Sequence, residues 1–344
     1  MLQQTTSIAR PRALSNWLFV VAAMIVGMVV LGGITRLTQS GLSITEWNPI
    51  SGIIPPLNHA QWIAEFDNYK RIPEYAEINR NMTLAGFKAI FFWEYVHRLW
   101  GRLIGFAFAL PLIWFAAKRQ IPKGYGWRLV AILALGGLQG AIGWWMVSSG
   151  LAVRTDVSHI RLAVHLVTAL VILSATVWVA LDLRARAADP FARPARFTLL
   201  GAVAILLLLG QITLGAFTAG LNAGYAFASW PLMGDRFFPE GVAMLAPAWR
   251  NVVDNPIAVQ FVHRWFAFVA AAGLVWLAVR AIRRGAPRRG VAVVALVTLQ
   301  IVLGISTLLS GVEIVVAVLH QLNAALTLIA AVAAAHAIGR RRPA

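Results

Sequence analysis

Any chemistry in this chain has to come from histidines and one glutamate. The segment EYVHRLWGR, Glu94 to Arg102, sets Glu94 three residues before His97 and follows it with Arg98 and Arg102; further on the chain repeats itself as QFVHRW, Gln260 to Trp265. His97 pairs with His263 at an offset of 166, and His165 with His320 at 155. One imidazole from each of two facing helices, on either side of a flat macrocycle, makes a six-coordinate haem, and helix bundles build cofactor sites in this way. Cysteine is absent, so thiolate metal sites and iron–sulfur clusters are excluded. Without a dense carboxylate cluster, haem is favoured over zinc or di-iron. A single intramembrane histidine is about as often a hydrogen-bonded packing residue, so the weight falls on four at matched positions. His59 in a loop, His159 at a helix mouth and His336 near a helix end read as structural.

Glu94, at i, i+3 from His97, shares its helix face. Its counterpart at offset 166 is Gln260, which cannot titrate. Two halves built alike but equipped differently suggest that the first does chemistry and the second holds a permanent cofactor. The plainer alternative is a Glu94 merely paired with Arg98 or Arg102. Arg98 and Arg264 each directly follow a histidine; near a boundary a guanidinium there can meet a haem propionate as a bidentate partner, or snorkel to lipid phosphate. Trp144, Trp145, Trp230 and Trp249 read as interface anchors.

The elements that must position these groups are membrane helices. Hydrophobic residues make up 59% of the 344, charged ones 12%, and the mean hydropathy is +0.72, far from soluble usage. Apolar runs near or above the roughly 20 residues that cross a bilayer occur at 17–35, 89–116, 128–147, 160–181, 197–217, 257–279, 291–309 and 314–338. The sequence therefore predicts an all-α polytopic membrane protein of eight transmembrane helices. The formal charge of +17 does not indicate nucleic acid, because 18 of the 30 lysines and arginines fall in the termini and alternate connectors, against 8 in the others. That is the positive-inside bias, and it places both termini in the cytoplasm.

An internal repeat organises the chain. GGITRLTQSGLSITEW and GAFTAGLNAGYAFASW align at offset 183 through Gly32/Gly215, Thr35/Thr218, Gly41/Gly224 and Trp47/Trp230, while Gln139, Gly143 and Gly150 match Gln300, Gly304 and Gly311 at 161. Each half has four helices, an even number, so both enter the membrane from one side and a pseudo-two-fold axis along the membrane normal is expected. The expectation is two tandem four-helix bundles, residues 1–190 and 191–344. The long loop 36–88, with Trp47, Pro49, Pro55, Pro56 and Trp62, reads either as a lid over the first pocket or as a plain connector.

GGITRLTQSGLSITEW, EYVHRLWGR, FVHRW and HQLNAAL together resemble the haem A synthase family in its proteobacterial and mitochondrial form, over about Trp17 to His336. The resemblance implies an eight-helix oxidoreductase of the bacterial inner membrane that oxidises the C8 methyl group of haem O to a formyl group through successive hydroxylations, giving haem A for cytochrome oxidase. It implies a haem b ligated by His263 and His320, substrate haem iron held by His97 and His165, and Glu94 as the catalytically important carboxylate. Some members carry cysteine pairs in outer loops, and their absence here puts any thiol role in doubt. The rival classes are a diheme b-type electron-transfer subunit, which would have no need of Glu94 over glutamine, and a haem-handling permease, suggested by the parallel repeats. Expected partners are haem O and membrane lipid, with no nucleic acid; a haem O synthase, an electron-transfer partner and a homo-oligomer are partner expectations that no particular residue argues for.

Overall fold

The computed structural model describes residues 9–340, and among them all regular structure is helical except one isolated bridge between Met233 and Arg236. The order is α1 (Pro11–Leu37), α2 (His59–Tyr69), α3 (Pro73–Glu77), α4 (Leu84–Ala117), α5 (Gly126–Val147), α6 (His159–Ala188), α7 (Leu199–Gly220), α8 (Arg250–Val253), α9 (Pro256–Arg283), α10 (Pro287–Leu309) and α11 (Ile314–Gly339). All but α2, α3 and α8 are long and apolar enough to cross a membrane, which makes eight candidate spans, as the apolar runs predict. Polar residues cap some of the helix starts: Thr83 starts α4 by accepting the Gly86 N–H at 3.2 Å, and Thr198 does the same for Gly201 at the start of α7.

Helix α4 begins before its apolar run, and the repeat explains how. Adding 166 to Leu84 gives Arg250, the first residue of α8, so α8 and α9 together retrace α4 with a break at Asn255–Pro256. Proline has no N–H to continue the preceding turn. The Asn255 side chain instead accepts the N–H groups of Ile257 and Ala258 and opens a new helix.

Which helices are central follows from burial. In α1 and α6, 39% of the most apolar stretch is buried, against 11% in α4, α5 and α10. The outer helices turn residues such as Leu110, Ile113 and Trp114 outward, a surface suited to lipid. Helix α1 packs on α4 and α6, and α5 on α4 and α6; α9 packs on α7 and α10, and α11 on α7 and α10. Contacts of α6 with α7, α1 with α11, and α6 with α11 join the two sets. These neighbours are compatible with the repeat. Polar side chains fasten the joins by donating to helix carbonyls: Gln321 to Val29 at 2.9 Å between α11 and α1, and Trp100 to Met24 at 2.9 Å between α4 and α1.

Because the spans alternate in direction, connectors 38–83, 148–158, 221–255 and 310–313 lie at one end, here called the loop end. The first is ordered against α4 by aromatic packing: Phe66 stacks on Phe87 with centroids 5.0 Å apart, and Trp62 meets Phe91 edge-on at 5.0 Å. The connector 221–255 is held similarly, Phe237 to Trp265 at 4.7 Å and Phe238 to Phe261 at 5.1 Å. At the other end a buried Asp182 on α6 accepts from His336 of α11 at 2.9 Å, the Ala195 N–H at 2.9 Å and Arg128 of α5 at 3.3 Å. His336 thus has a structural partner, as the sequence suggested.

Candidate functional site

His97, His165, His263 and His320 stand on α4, α6, α9 and α11, each toward the loop end of its helix. His97 lies within electrostatic range of His165, and His263 of His320. All four are only part-buried, so none is sealed into a packed core.

Each imidazole rests against a glycine on the neighbouring helix. A Cβ added at Gly143, Gly215 or Gly304 would lie 3.0, 3.0 and 2.9 Å from the Cε1 of His165, His263 and His320. At Gly32 the corresponding distance to His97 is 3.6 Å, ordinary van der Waals contact. Four residues before each of the three tight glycines stands a glutamine. The Nε2 of Gln139 donates to the His165 carbonyl at 2.9 Å and lies 3.1 Å from its Nδ1. For Gln211 and His263 the two distances are both 3.0 Å, and for Gln300 and His320 both are 3.1 Å. Side chains four apart share one helix face, so each glutamine and glycine make a notch that seats one ring. Before Gly32 the matching residue is Met28, whose methyl carbon reaches α4 at Gly101, 3.2 Å from where a Cβ would be.

Around Glu94 and Arg98 the repeat extends to single atoms. Arg98 donates from Nη2 to the Ile44 carbonyl at 2.7 Å and from Nη1 to that of Glu46 at 2.9 Å. Arg264 donates from Nη2 to Phe227 at 2.9 Å and from Nη1 to Ser229 at 2.8 Å, the same two positions at offset 183. Both guanidiniums therefore hold the connector at the loop end. The halves differ in the group beside the arginine. Glu94 takes two donors from Arg98 on Oε1, at 3.0 and 2.6 Å, and the Ser43 hydroxyl and Ile44 N–H on Oε2, at 2.7 and 2.8 Å. Gln260 instead donates to the Phe227 carbonyl at 3.0 Å. Among the described residues Arg264 thus has no carboxylate against it, is buried, and keeps an Nε–H without a partner. A buried guanidinium with a spare donor fits an anion.

Two of the acids in the connector above Glu94, Glu74 and Glu65, are shifted from the ordinary carboxylate range. Glu74 is 4% exposed, and its Oε2 has no hydrogen-bond partner among the described residues. Burial first, then the charges of Asp156 and Glu94, push its carboxyl up to about 8. Burial and the charge of Glu46 also raise Glu65, against the opposing pull of Arg98.

The remaining residues singled out in the sequence fall elsewhere. Trp144 stacks on Trp47 at 6.0 Å with the Arg98 guanidinium over its ring, and Trp230 stacks on Trp265 at 5.8 Å. Trp144, on α5, and Trp230, itself part of the connector 221–255, sit in aromatic stacks, while Trp145 and Trp249 remain exposed. His159 pairs with Asp254 at 3.3 Å, and His59 is exposed at the start of α2. Sequence reasoning passed over Ser43 and Gln211. The spacing Gln-x3-Gly, present at Gln139, Gln211 and Gln300, was the signal for the latter.

Residues 15–332 match the family COX15-CtaA, described as cytochrome oxidase assembly protein. The chain is similar to proteins named haem A synthase in several bacteria. It is 60% identical over 331 residues to that of Rhizorhabdus wittichii, covering 96% of this chain and 95% of the relative. For Sphingopyxis alaskensis the identity is 55% over 334 residues, covering 96% and 94%. For Erythrobacter litoralis it is 50% over 333, covering 96% and 98%.

Proposed function

We propose, on the premise that this chain belongs to the COX15-CtaA family of cytochrome oxidase assembly proteins, that it is a haem A synthase whose two halves share one architecture and divide the work. It is a multi-pass membrane enzyme that acts on haem. The finer reading is an oxidoreductase that converts the C8 methyl group of haem O to a formyl group, a change that removes electrons and protons and adds an oxygen atom. The first half, residues 1–190, would hold the substrate between His97 and His165. The second, residues 191–344, would hold a haem b between His263 and His320. The membrane is the bacterial inner membrane, both termini are cytoplasmic by the distribution of basic residues, and the loop end faces outward.

What supports a porphyrin is the donor set: an imidazole pair in each half, each ring seated beside a glycine, and in the second half the unpartnered Nε–H of the buried Arg264, a charged donor suited to a propionate. A bound haem b supplies one-electron transfer. Everything else falls to side chains. His97 and His165 orient the macrocycle by its iron, and the ordered connector 38–83 over the first half limits water.

Glu94 is the group that distinguishes the halves. A carboxylate has about four lone-pair sites, and four donors occupy them. Such a group has little room to receive a proton from a substrate. It is suited to standing as a fixed negative charge beside a methyl carbon that becomes electron-poor, the electrostatic form of catalysis. The observation that carries the reading is this exchange of Glu94 for Gln260 within an arginine clamp whose two connector carbonyls recur at matched positions.

Extraction and chromatography of haems from the purified protein, wild type beside Glu94→Gln and expressed with a source of haem O, tests it. The wild type should yield haem B with haem O and haem A. The variant should keep haem B and haem O, or a hydroxylated intermediate, and lose haem A. Ordinary haem A from the variant would remove the role of Glu94. Haem B alone in both would mark a diheme electron carrier.

A further inference from the structure

The connector after α1 folds back along α4 before it leaves for the loop end. Its residues 44–53 are held there by donors from α4 to their carbonyls: Arg98 to Ile44 and Glu46, Arg102 to Asn48 and Pro49 at 2.7 and 2.9 Å, and Tyr95 to Ile53 at 2.7 Å. The Arg102 end of this row is deep. Trp100 donates to the Met24 carbonyl, and a Cβ added at Gly101 would lie 3.2 Å from the Met28 methyl carbon, so this turn of α4 is level with Met24 to Met28 of α1. Met28 precedes the end of α1 at Leu37 by nine residues, about 14 Å of helix. A helical side chain leans toward the N-terminus of its helix, here the loop end, so the carbonyls that Arg102 grips lie roughly a turn nearer that end, still beside the apolar part of α1.

What the segment turns outward at this depth is apolar. Trp47 to Leu57 reads WNPISGIIPPL, with no charged residue, and Ile50, Ile54 and Leu57 are 82%, 67% and 74% exposed. Irregular backbone at membrane depth must have its polar groups satisfied, and this stretch is built for that. Pro49, Pro55 and Pro56 have no N–H to satisfy. The N–H groups of Gly52, Ile53 and Ile54 bond to the carbonyls of Asn48, Ile50 and Ser51 within a single 3-10 turn, and that of Leu57 bonds to the Gln61 side chain. On α4 the exposed Phe106 and Leu110 follow Arg102 at four-residue steps, so they share its face and carry the apolar surface on toward the middle of the span.

We propose that residues 47–57 form a lip sunk among the acyl chains of the leaflet at the loop end, and that Arg102 holds it there by capping its carbonyls. Water would select isoleucines turned inward; hydrocarbon selects isoleucines outward and carbonyls toward a guanidinium. The same stretch of chain holds Glu94 through Ser43 and Ile44, so the bilayer and the candidate site are tied through a few residues.

The chain has no cysteine, so a nitroxide attached at Ile50→Cys, Ile54→Cys or Leu57→Cys is the sole label. The full-length protein is reconstituted in vesicles of phosphatidylcholine and phosphatidylglycerol, and collisions are measured with oxygen, which concentrates in hydrocarbon, and with a nickel chelate, which stays in water. The oxygen-to-nickel ratio at the three lip positions should match that at Leu110→Cys and stand several-fold above that at Glu77→Cys, an exposed acidic position in the same connector. Adding Arg102→Gln to Ile54→Cys should lower the ratio several-fold, as the lip lifts toward water. Lip ratios equal to that of Glu77→Cys would overturn the proposal. Shielding from both reagents, with spin–spin broadening that disappears on dilution with unlabelled protein, would overturn it in favour of contact with a second copy. A ratio at Ile54→Cys indifferent to Arg102→Gln would remove Arg102 from the role.

Discussion

Glu94 and Arg264 illustrate how a repeat can diverge through one atom. Replacing the Gln260 amide with a carboxylate gives Arg98 a counter-charge, while Arg264 is left with a spare donor for an outside anion. A buried, uncompensated guanidinium is costly, so a carboxylate-bearing ligand at this place would relieve it. Glu74 belongs to the same scale. Its neighbours are acidic or phenolic: Asp156, Glu94, and the nearby Tyr69. Its folded value, about 8, lies above the ordinary 4.5, so between these limits the folded state binds more protons than the unfolded one and stability falls as pH rises. Hydrogen-exchange protection in residues 59–79 should therefore decline from about pH 4.5 to about pH 8. Glu74→Gln should flatten that dependence.

At the scale of elements, the site is made by pairs of helices and the notches between them. Each histidine-bearing helix packs on the helix that carries its glycine: α4 on α1, α6 on α5, α9 on α7 and α11 on α10. A methyl group at Gly143, Gly215 or Gly304 would press on an imidazole from 3.0 Å or less, closer than ordinary contact, and the ring or the helix must shift. Gly143→Ala, Gly215→Ala and Gly304→Ala should each lower the haem bound per purified chain. Gly32→Ala, with 3.6 Å available, should retain it. Equal retention in all four variants would show that the notches do not set ring position. The break between α8 and α9 matters at this scale too. Without it the second half would project a helix as long as α4, and its connector would have to take another path over the site.

Across the whole molecule, the two halves are joined at both ends by polar groups that hydrocarbon makes expensive to leave unpaired. At the loop end Arg36 of α1 donates to the Ala219 carbonyl and to Asn222, both at 2.6 Å. At the other end Asp182 gathers α5, α6, α11 and the strand of chain between α6 and α7. Asp182→Leu would leave His336, Arg128 and the Ala195 N–H without their acceptor. A loss on the order of 3 kcal/mol is expected, visible as a lower thermal midpoint in detergent. Haem content per folded chain should be little changed, because the cluster lies at the far end from the histidines.

Much of this was legible in the sequence because lipid is an unforgiving solvent. A segment that spans it must be helical and apolar over about 20 residues, so eight spans could be counted directly. A polar residue retained within a span stands out, which is why His97, His165, His263, His320 and the Glu94/Gln260 exchange could be singled out before any coordinates. The matched offsets even marked Gly32, Gly143, Gly215 and Gly304, although not what they do. The tertiary structure decided the partnerships. Gln211 seats His263 across a separation of 52 residues, and Ser43 and Ile44 hold Glu94 across about 50. Nothing in local periodicity encodes such pairings, since they depend on which helix faces which and on how a connector folds back over its bundle. Arg98 and Arg264 show the same limit. Their charge and position were plain in the chain, but only the fold shows that both grip the connector through donors to its carbonyls and that, of the two, Arg264 keeps an Nε–H with no partner among the described residues.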